Sequence, residues 1–170
     1  MQGLIIENKA NLYKIKLGDI NYIATARGKF KNDSFTPVVG DIAEFSIVDE
    51  NKRTAVIESV KKRVSYIKRP KLANINQIVF VVSSKHPKPD LLLLDKQLAF
   101  AEFLHIKPVI VLNKIDLDDK HEFLNIQKIY EEIGYKVIQT DAKNGIGVEK
   151  ILLELKNNIS AFAGNSGVGK

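Results

Sequence analysis

The stretch that most restricts what this chain can become is Gly164-Asn165-Ser166-Gly167-Val168-Gly169-Lys170, directly after a strand-like Ser160–Ala163. Glycine lacks a Cβ, so a main chain of this composition can wrap closely and aim successive N–H groups at phosphate oxygens. A terminal lysine adds positive charge at the outer phosphates. A strand that runs into such a loop belongs to a parallel sheet with helices on its faces. Taken alone, the loop also fits a flexible glycine-rich tail. The full motif calls for a Ser or Thr after Lys170 to hold Mg²⁺, and for a helix whose N-terminal dipole faces the phosphates. Both are expected to follow Lys170.

The rhythm upstream agrees with a parallel sheet. Ile75–Ser83 and Lys107–Leu112 are continuous apolar runs, as expected of strands buried on both faces. Lys136–Thr140 is a third strand and Ser160–Ala163 a fourth. Between them, Leu91–Leu104 shows helical spacing, Leu117–Gly134 reads as a charged loop followed by a helix, and Val148–Asn157 reads as a helix. Asp118-Asp119 suits the start of the middle helix.

Residues 1–67 differ. Leu4–Ile6, Leu12–Leu17, Ile20–Ala24, Asp41–Val48 and Arg53–Val60 are short strand-like stretches, punctuated by Gly18-Asp19, Gly28-Lys29, Pro37 with Gly40, and Asn51. Five strands in so short a span suggest a small closed barrel, because an open sheet of this size leaves its edges unprotected. An oligonucleotide-binding (OB) barrel fits, and an SH3-like barrel fits the pattern almost as well. Lys68-Arg69-Pro70 reads as the linker, giving domains 1–67 and 68–170.

Charge separates the halves as well. Residues 1–70 carry 13 Lys and Arg against 8 Asp and Glu, whereas 71–170 carry 13 against 12. A basic first half fits an acidic partner such as nucleic acid, or simply a solvated basic surface. Without cysteine there is neither a disulfide framework nor a thiolate metal site. No apolar run reaches membrane-spanning length, and no signal peptide precedes Leu4–Ile6, so a cytoplasmic protein is expected.

The second motif is Asn113-Lys114-Ile115-Asp116, at the carboxyl end of a buried strand, where open parallel sheets bind ligands. A carboxylate at Asp116 can accept from both the ring N–H and the exocyclic amine of guanine. Adenine offers no such pair, and the resulting mismatch discriminates strongly. Alone, the motif also fits an ordinary turn capped by Asp116. With the phosphate loop in the same sheet, and Thr140-Asp141-Ala142-Lys143 beyond a third strand, the guanine reading is favoured.

The guanine motif precedes the phosphate loop by about fifty residues, the reverse of ordinary GTPases. In this the chain resembles the circularly permuted, small-ribosomal-subunit-dependent GTPases of the RsgA (YjeQ) family. The resemblance runs through Arg27-Gly28-Lys29-Phe30, Pro37-Val38-Val39-Gly40-Asp41, Lys68-Arg69-Pro70, Ala73-Asn74-Ile75-Asn76-Gln77, Leu94-Asp95-Lys96, the guanine motif, and Phe162–Lys170.

It implies an OB domain at 1–67, the first portion of a permuted P-loop GTPase domain at 68–170, and a zinc-binding domain beyond. It implies GTP hydrolysis to GDP and phosphate in late maturation of the small (30S) subunit. Asn113, Lys114 and Asp116 would recognise guanine, with Ala142 and Lys143 against the base. Gly164, Asn165, Ser166, Gly167, Val168, Gly169 and Lys170 would bind phosphates, with Lys170 catalytic. Arg27, Lys29 and Lys31 would face 16S rRNA. Mg²⁺ and Zn²⁺ are expected in the complete protein, with ligands beyond Lys170 and none within this chain. A monomer is expected, and residues 1–170 alone are expected to be catalytically inactive. Asp141 departs from the family's usual Ser.

Other expectations are local. Tyr22, Phe30 and Phe35 are either RNA-stacking or core aromatics. Lys61-Lys62-Arg63 is either a phosphate contact or a solvated strand end. His86, His105 and His121 have no partners at catalytic spacing. Two rivals remain: a non-enzymatic RNA-docking module with a degenerate nucleotide fold, and a P-loop kinase or ATPase.

Overall fold

The computed structural model describes residues 1–28 and 36–170, which fall into two compact units, Met1–Asn74 and Ile75–Lys170. Lys29, Phe30, Lys31 and Phe35 lie outside the described residues.

In the first unit, β1 (Gln2–Lys9), β2 (Leu12–Leu17), β3 (Ile20–Ala26), β4 (Ile42–Asp49) and β5 (Thr54–Val60) close into a barrel of order β1-β2-β3-β5-β4, an OB-like arrangement. Most neighbours are antiparallel, but β3 and β5 run parallel, Ile23 opposite Thr54 through Ala26 opposite Ile57. Closure follows from alternation. Ile5, Tyr13, Ile15, Tyr22, Ala24, Ala43, Phe45, Ala55 and Ile57 point inward and form the core, while their chain neighbours turn to the outer face. Tyr22 belongs to this interior: it is 3% exposed, and its ring centroid lies 5.5 Å from that of Phe45.

Lys68-Arg69-Pro70 is the tip of a hairpin and not an extended linker. β6 (Tyr66–Lys68) and β7 (Lys71–Ala73) pair antiparallel around it, Ile67 opposite Leu72. A proline in the turn costs no ladder hydrogen bond there. Arg63 also departs from a solvated strand end. Its Nε and Nη2 donate to the two oxygens of Asp41 at 2.8 Å each, and Nη2 also donates to the Thr36 carbonyl at 2.9 Å. Asp41 is fully buried and also accepts from the Val38 amide at 2.7 Å. The Arg63 guanidinium lies 4.6 Å from the Tyr66 ring centroid. Burial of the carboxylate is tolerated because both of its oxygens meet donors, one of them a paired cation.

In the second unit, β8 (Gln77–Ser83), β9 (Lys107–Asn113), β10 (Lys136–Thr140) and β11 (Ser160–Ala163) form an all-parallel sheet of order β10-β9-β8-β11. All seven residues of β8 are buried, as a strand covered on both faces requires. Val79, Val81, Val109, Val111 and Ile138 point to one face and pack with Ile151 and Leu155 of helix α3 (Val148–Leu155). The opposite face is served by α1 (Leu91–Phe103) and α2 (Glu122–Glu132), which bury Leu94, Leu98 and Ala101, and Phe123, Ile126 and Tyr130. Asp90 caps α1 by accepting from the Leu93 amide at 2.9 Å. Asp118 caps α2 through the amides of Glu122 and Phe123, both at 3.0 Å. No helix among the described residues is long and apolar enough to cross a membrane.

Candidate nucleotide site

Parallel pairing brings the carboxyl ends of all four strands to one edge, and each is followed by a loop. Asn113 ends β9 and is 3% exposed. Its Nδ2 donates to the Val168 carbonyl at 2.9 Å, and its Oδ1 accepts from Thr140 Oγ1 at 2.9 Å and from the Ala142 amide at 3.1 Å. One side chain therefore ties together the loops after β9, β10 and β11.

Lys114 follows in the left-handed region, at φ +65°, uncommon for a residue with a side chain. That conformation turns the chain into the short 3-10 turn Ile115–Leu117. Its Nζ donates to the Gly167 carbonyl at 2.7 Å and to the His86 carbonyl at 2.5 Å, and its own carbonyl accepts from Ser84 Oγ at 2.6 Å. Lys114 thus braces the glycine-rich loop against the segment after β8. Asp116 is exposed and makes no hydrogen bond or ion pair to any described residue, so its carboxylate faces solvent as a bare acceptor.

The glycine-rich loop is built by contacts that exclude a side chain. A Cβ on Gly164 would lie 2.3 Å from the Val81 carbonyl oxygen, and one on Gly169 would lie 2.4 Å from Asn113 Nδ2. Both residues have positive φ, +143° and +91°. Val168 anchors the loop by burying its side chain in the sheet core at 2% exposure, a burial worth about 1.5–3 kcal/mol. Among the described residues, no amide from Asn165 to Lys170 donates a well-aligned hydrogen bond. The Lys170 Nζ donates to the carbonyls of Gly164 and Asn165, both at 2.8 Å. Amides without a well-aligned acceptor beside an ammonium can receive an anion.

Ala142 and Lys143 lie exposed on the turn after β10. Asp141, at its base, is 2% exposed. The loops are legible in the sequence but the cross-links made by Ser84, His86 and Thr140 are not, because a single hydrogen bond between distant residues leaves no pattern in spacing. On the barrel, Arg27 is 60% exposed and pairs with Glu58 at 2.8 Å.

A parallel sheet with a glycine-rich loop on one strand and Asn-Lys-Ile-Asp on the next but one has the layout of a P-loop domain with its loops in permuted order. Residues 60–170 match the RsgA GTPase family model and residues 2–57 match the RsgA N-terminal domain; the chain belongs to the RsgA family.

It is 38% identical over 170 residues to the small ribosomal subunit biogenesis GTPase RsgA of Caldanaerobacter subterraneus subsp. tengcongensis, covering all of this chain and 57% of that protein. It is 39% identical to the protein of the same name from Ruminiclostridium cellulolyticum, covering 99% of this chain and 55% of that one. The fold is similar to the crystal structure of YjeQ from Thermotoga maritima, with a TM-score of 0.84 and 32% identity over 99% of this chain and 62% of that one. It is also similar to that of YloQ, a circularly permuted GTPase, with a TM-score of 0.81 and 29% identity over 99% of this chain and 61% of that one. The chain thus spans under two thirds of these relatives.

Proposed function

We propose that the protein to which these residues belong binds GTP at the edge formed by Asn113–Asp116, Ala142-Lys143 and Gly164–Lys170, and hydrolyses it to GDP and phosphate during biogenesis of the small ribosomal subunit. The observation that carries this reading is the joint tie of Asn113 and Lys114 to the carbonyls of Val168 and Gly167. The tie holds a base-reading motif and a phosphate cradle as one unit. In this reading Asp116 accepts from the guanine ring N–H and amine, and Ala142 and Lys143 flank the base. The amides of the Gly164–Lys170 loop receive the phosphate oxygens. Lys170 exchanges its bonds to Gly164 and Asn165 for the β and γ phosphates, where it offsets charge developing as the phosphoryl group passes to water.

Mg²⁺ supplies charge neutralisation to such a reaction when bound. Among the described residues no group of three or more His, Cys, Asp or Glu is placed to hold a metal. Residues 1–170 by themselves are proposed not to turn GTP over. The basic barrel, with Arg27, Lys29 and Lys31, is proposed to bind 16S rRNA of the small subunit, with the protein acting as a cytoplasmic monomer.

The deciding experiment is Asp116→Asn in the full-length protein. Asparagine offers an N–H where guanine also offers donors, but that N–H suits the 2-oxo group of xanthine. Binding of GDP should fall at least a hundredfold while binding of xanthosine diphosphate rises. Equal GDP affinity in the variant would overturn the guanine reading, and tighter ADP than GDP binding by the wild type would restore the kinase or ATPase alternative.

A further inference from the structure

The turn after β10 carries a buried acid with an unusual set of partners. Asp141 is 2% exposed, yet no Lys, Arg or His is among its hydrogen-bonding or ion-pair partners. Both carboxylate oxygens are instead taken by one residue: Oδ1 accepts from the Asn144 amide at 3.2 Å, and Oδ2 accepts from Asn144 Nδ2. The main chain closes the same turn, since the Asp141 amide donates to the Ile146 carbonyl and the Ile146 amide returns the bond to the Asp141 carbonyl, both at 3.0 Å. The residues enclosed by this double closure include Ala142 and Lys143, and the Ala142 amide is the group that meets Asn113 Oδ1.

We infer that Asp141, through its paired hydrogen bonds to Asn144, is a positioning residue for base recognition. It fixes the turn so that Ala142 lies against Asn113 and the Ala142-Lys143 segment stands where the base arrives. The inference rests on the guanine reading above and deepens it. A four-residue turn with Ala142, Lys143 and Asn144 exposed would otherwise sample many conformations, and ordering each residue costs backbone entropy. The buried carboxylate removes that cost in advance of binding. A hydroxyl at position 141 has a single oxygen and so cannot accept from the amide and the side chain of Asn144 in this two-oxygen geometry. The device is therefore specific to the Asp141–Asn144 pair.

The test compares GDP with ADP in the full-length protein, because ADP shares the phosphates and lacks the guanine contacts. In Asp141→Asn, two amide groups face each other where a carboxylate met an amide. The ratio of GDP to ADP affinity should fall about tenfold, with ADP binding unchanged. The exchanged pair, Asp141→Asn with Asn144→Asp, restores an amide facing a carboxylate and should recover the ratio. Asn144→Ala, at an exposed position, should mimic the single variant without risk to folding. A ratio unchanged in both single variants overturns the inference, as does GDP and ADP affinity falling together, or no recovery in the exchanged pair. A wild type with no preference for GDP over ADP would instead overturn the guanine reading itself.

Discussion

Asn113 and Val168, 55 residues apart in the chain, are joined by a 2.9 Å hydrogen bond from the asparagine Nδ2 to the valine carbonyl. The same side chain also receives Thr140 and Ala142, so Asn113→Ala leaves three polar groups without their partner. The expected cost is about 1–3 kcal/mol of folding stability, with GDP affinity down more than tenfold. Urea denaturation and calorimetric titration of the full-length protein measure the two effects, and unaltered GDP binding would remove Asn113 from the site.

Gly169 tests the cradle from the other side. A methyl group there would meet Asn113 Nδ2 at 2.4 Å on a residue already at φ +91°. Gly169→Ala should displace the Asn113 amide and reduce nucleotide binding by an order of magnitude or more. Binding equal to wild type would mean that the loop and the guanine motif are not coupled as described.

Within the barrel unit, Asp41→Ala should be among the most destabilising single changes. It removes the carboxylate from the mostly buried Arg63 guanidinium and leaves the Val38 amide without its side-chain acceptor. Removing one partner of such a pair costs about 3–5 kcal/mol. Arg63→Lys, with Asp41 in place, should lose much of the same stability, because an ammonium cannot make the two parallel bonds. Chemical denaturation of residues 1–170 gives the answer, and a loss below about 1 kcal/mol would show that the pair is dispensable.

Alkaline stability should depend on Tyr130. Burial, and then the hydrogen bond its hydroxyl donates to Asp95 at 2.6 Å, push the phenol above its ordinary range. The folded protein therefore holds this proton more tightly than the unfolded chain. The contribution is complete below pH about 10 and is lost as pH rises through the folded value. Tyr130→Phe should be less stable than wild type at neutral pH, and the gap between them should narrow above pH about 10. A constant gap across that range would refute the assignment.

RNA binding by the barrel should be dominated by charge neutralisation at phosphates. Replacing Arg27, Lys29 and Lys31 with Ala should reduce the slope of log affinity against log salt by roughly 0.7–0.9 for each phosphate left without its cation. Arg27 pairs with Glu58 at 2.8 Å, so Glu58→Gln should release the guanidinium and tighten RNA binding slightly. Filter binding of small-subunit rRNA across a potassium chloride series measures both, and an unchanged slope in the triple variant would move the RNA surface elsewhere.

Much of this organisation is legible in residue order, for a physical reason. Strands buried on both faces are apolar through their middles, so the runs within Gln77–Ser83 and Lys107–Asn113 declare themselves. Glycine-dependent loops do the same, since the close approaches at Gly164 and Gly169 admit no other residue. The hairpin around Lys68–Lys71 is not legible, because three-residue strands carry too little alternation and its charged tip looks like a linker. Nor is the Arg63–Asp41 pair, whose members are 22 residues apart and individually look like surface charges. The reciprocal bonds at Asp141 are hidden for the same reason: partner choice is decided by folded geometry and leaves no period behind.

The strand order β10-β9-β8-β11 also carries a consequence for the way the domain is made. During synthesis β8 emerges first, and β9 and β10 follow on one side of it, each by a single helical crossover. β11 must then return across 83 positions to lie beside Gln77 on the other side. A three-stranded sheet bearing the loops after β9 and β10 can therefore assemble before the glycine-rich loop has left the exit tunnel. The ties from Asn113 to Val168 and from Lys114 to Gly167 can close only once β11 has docked beside β8.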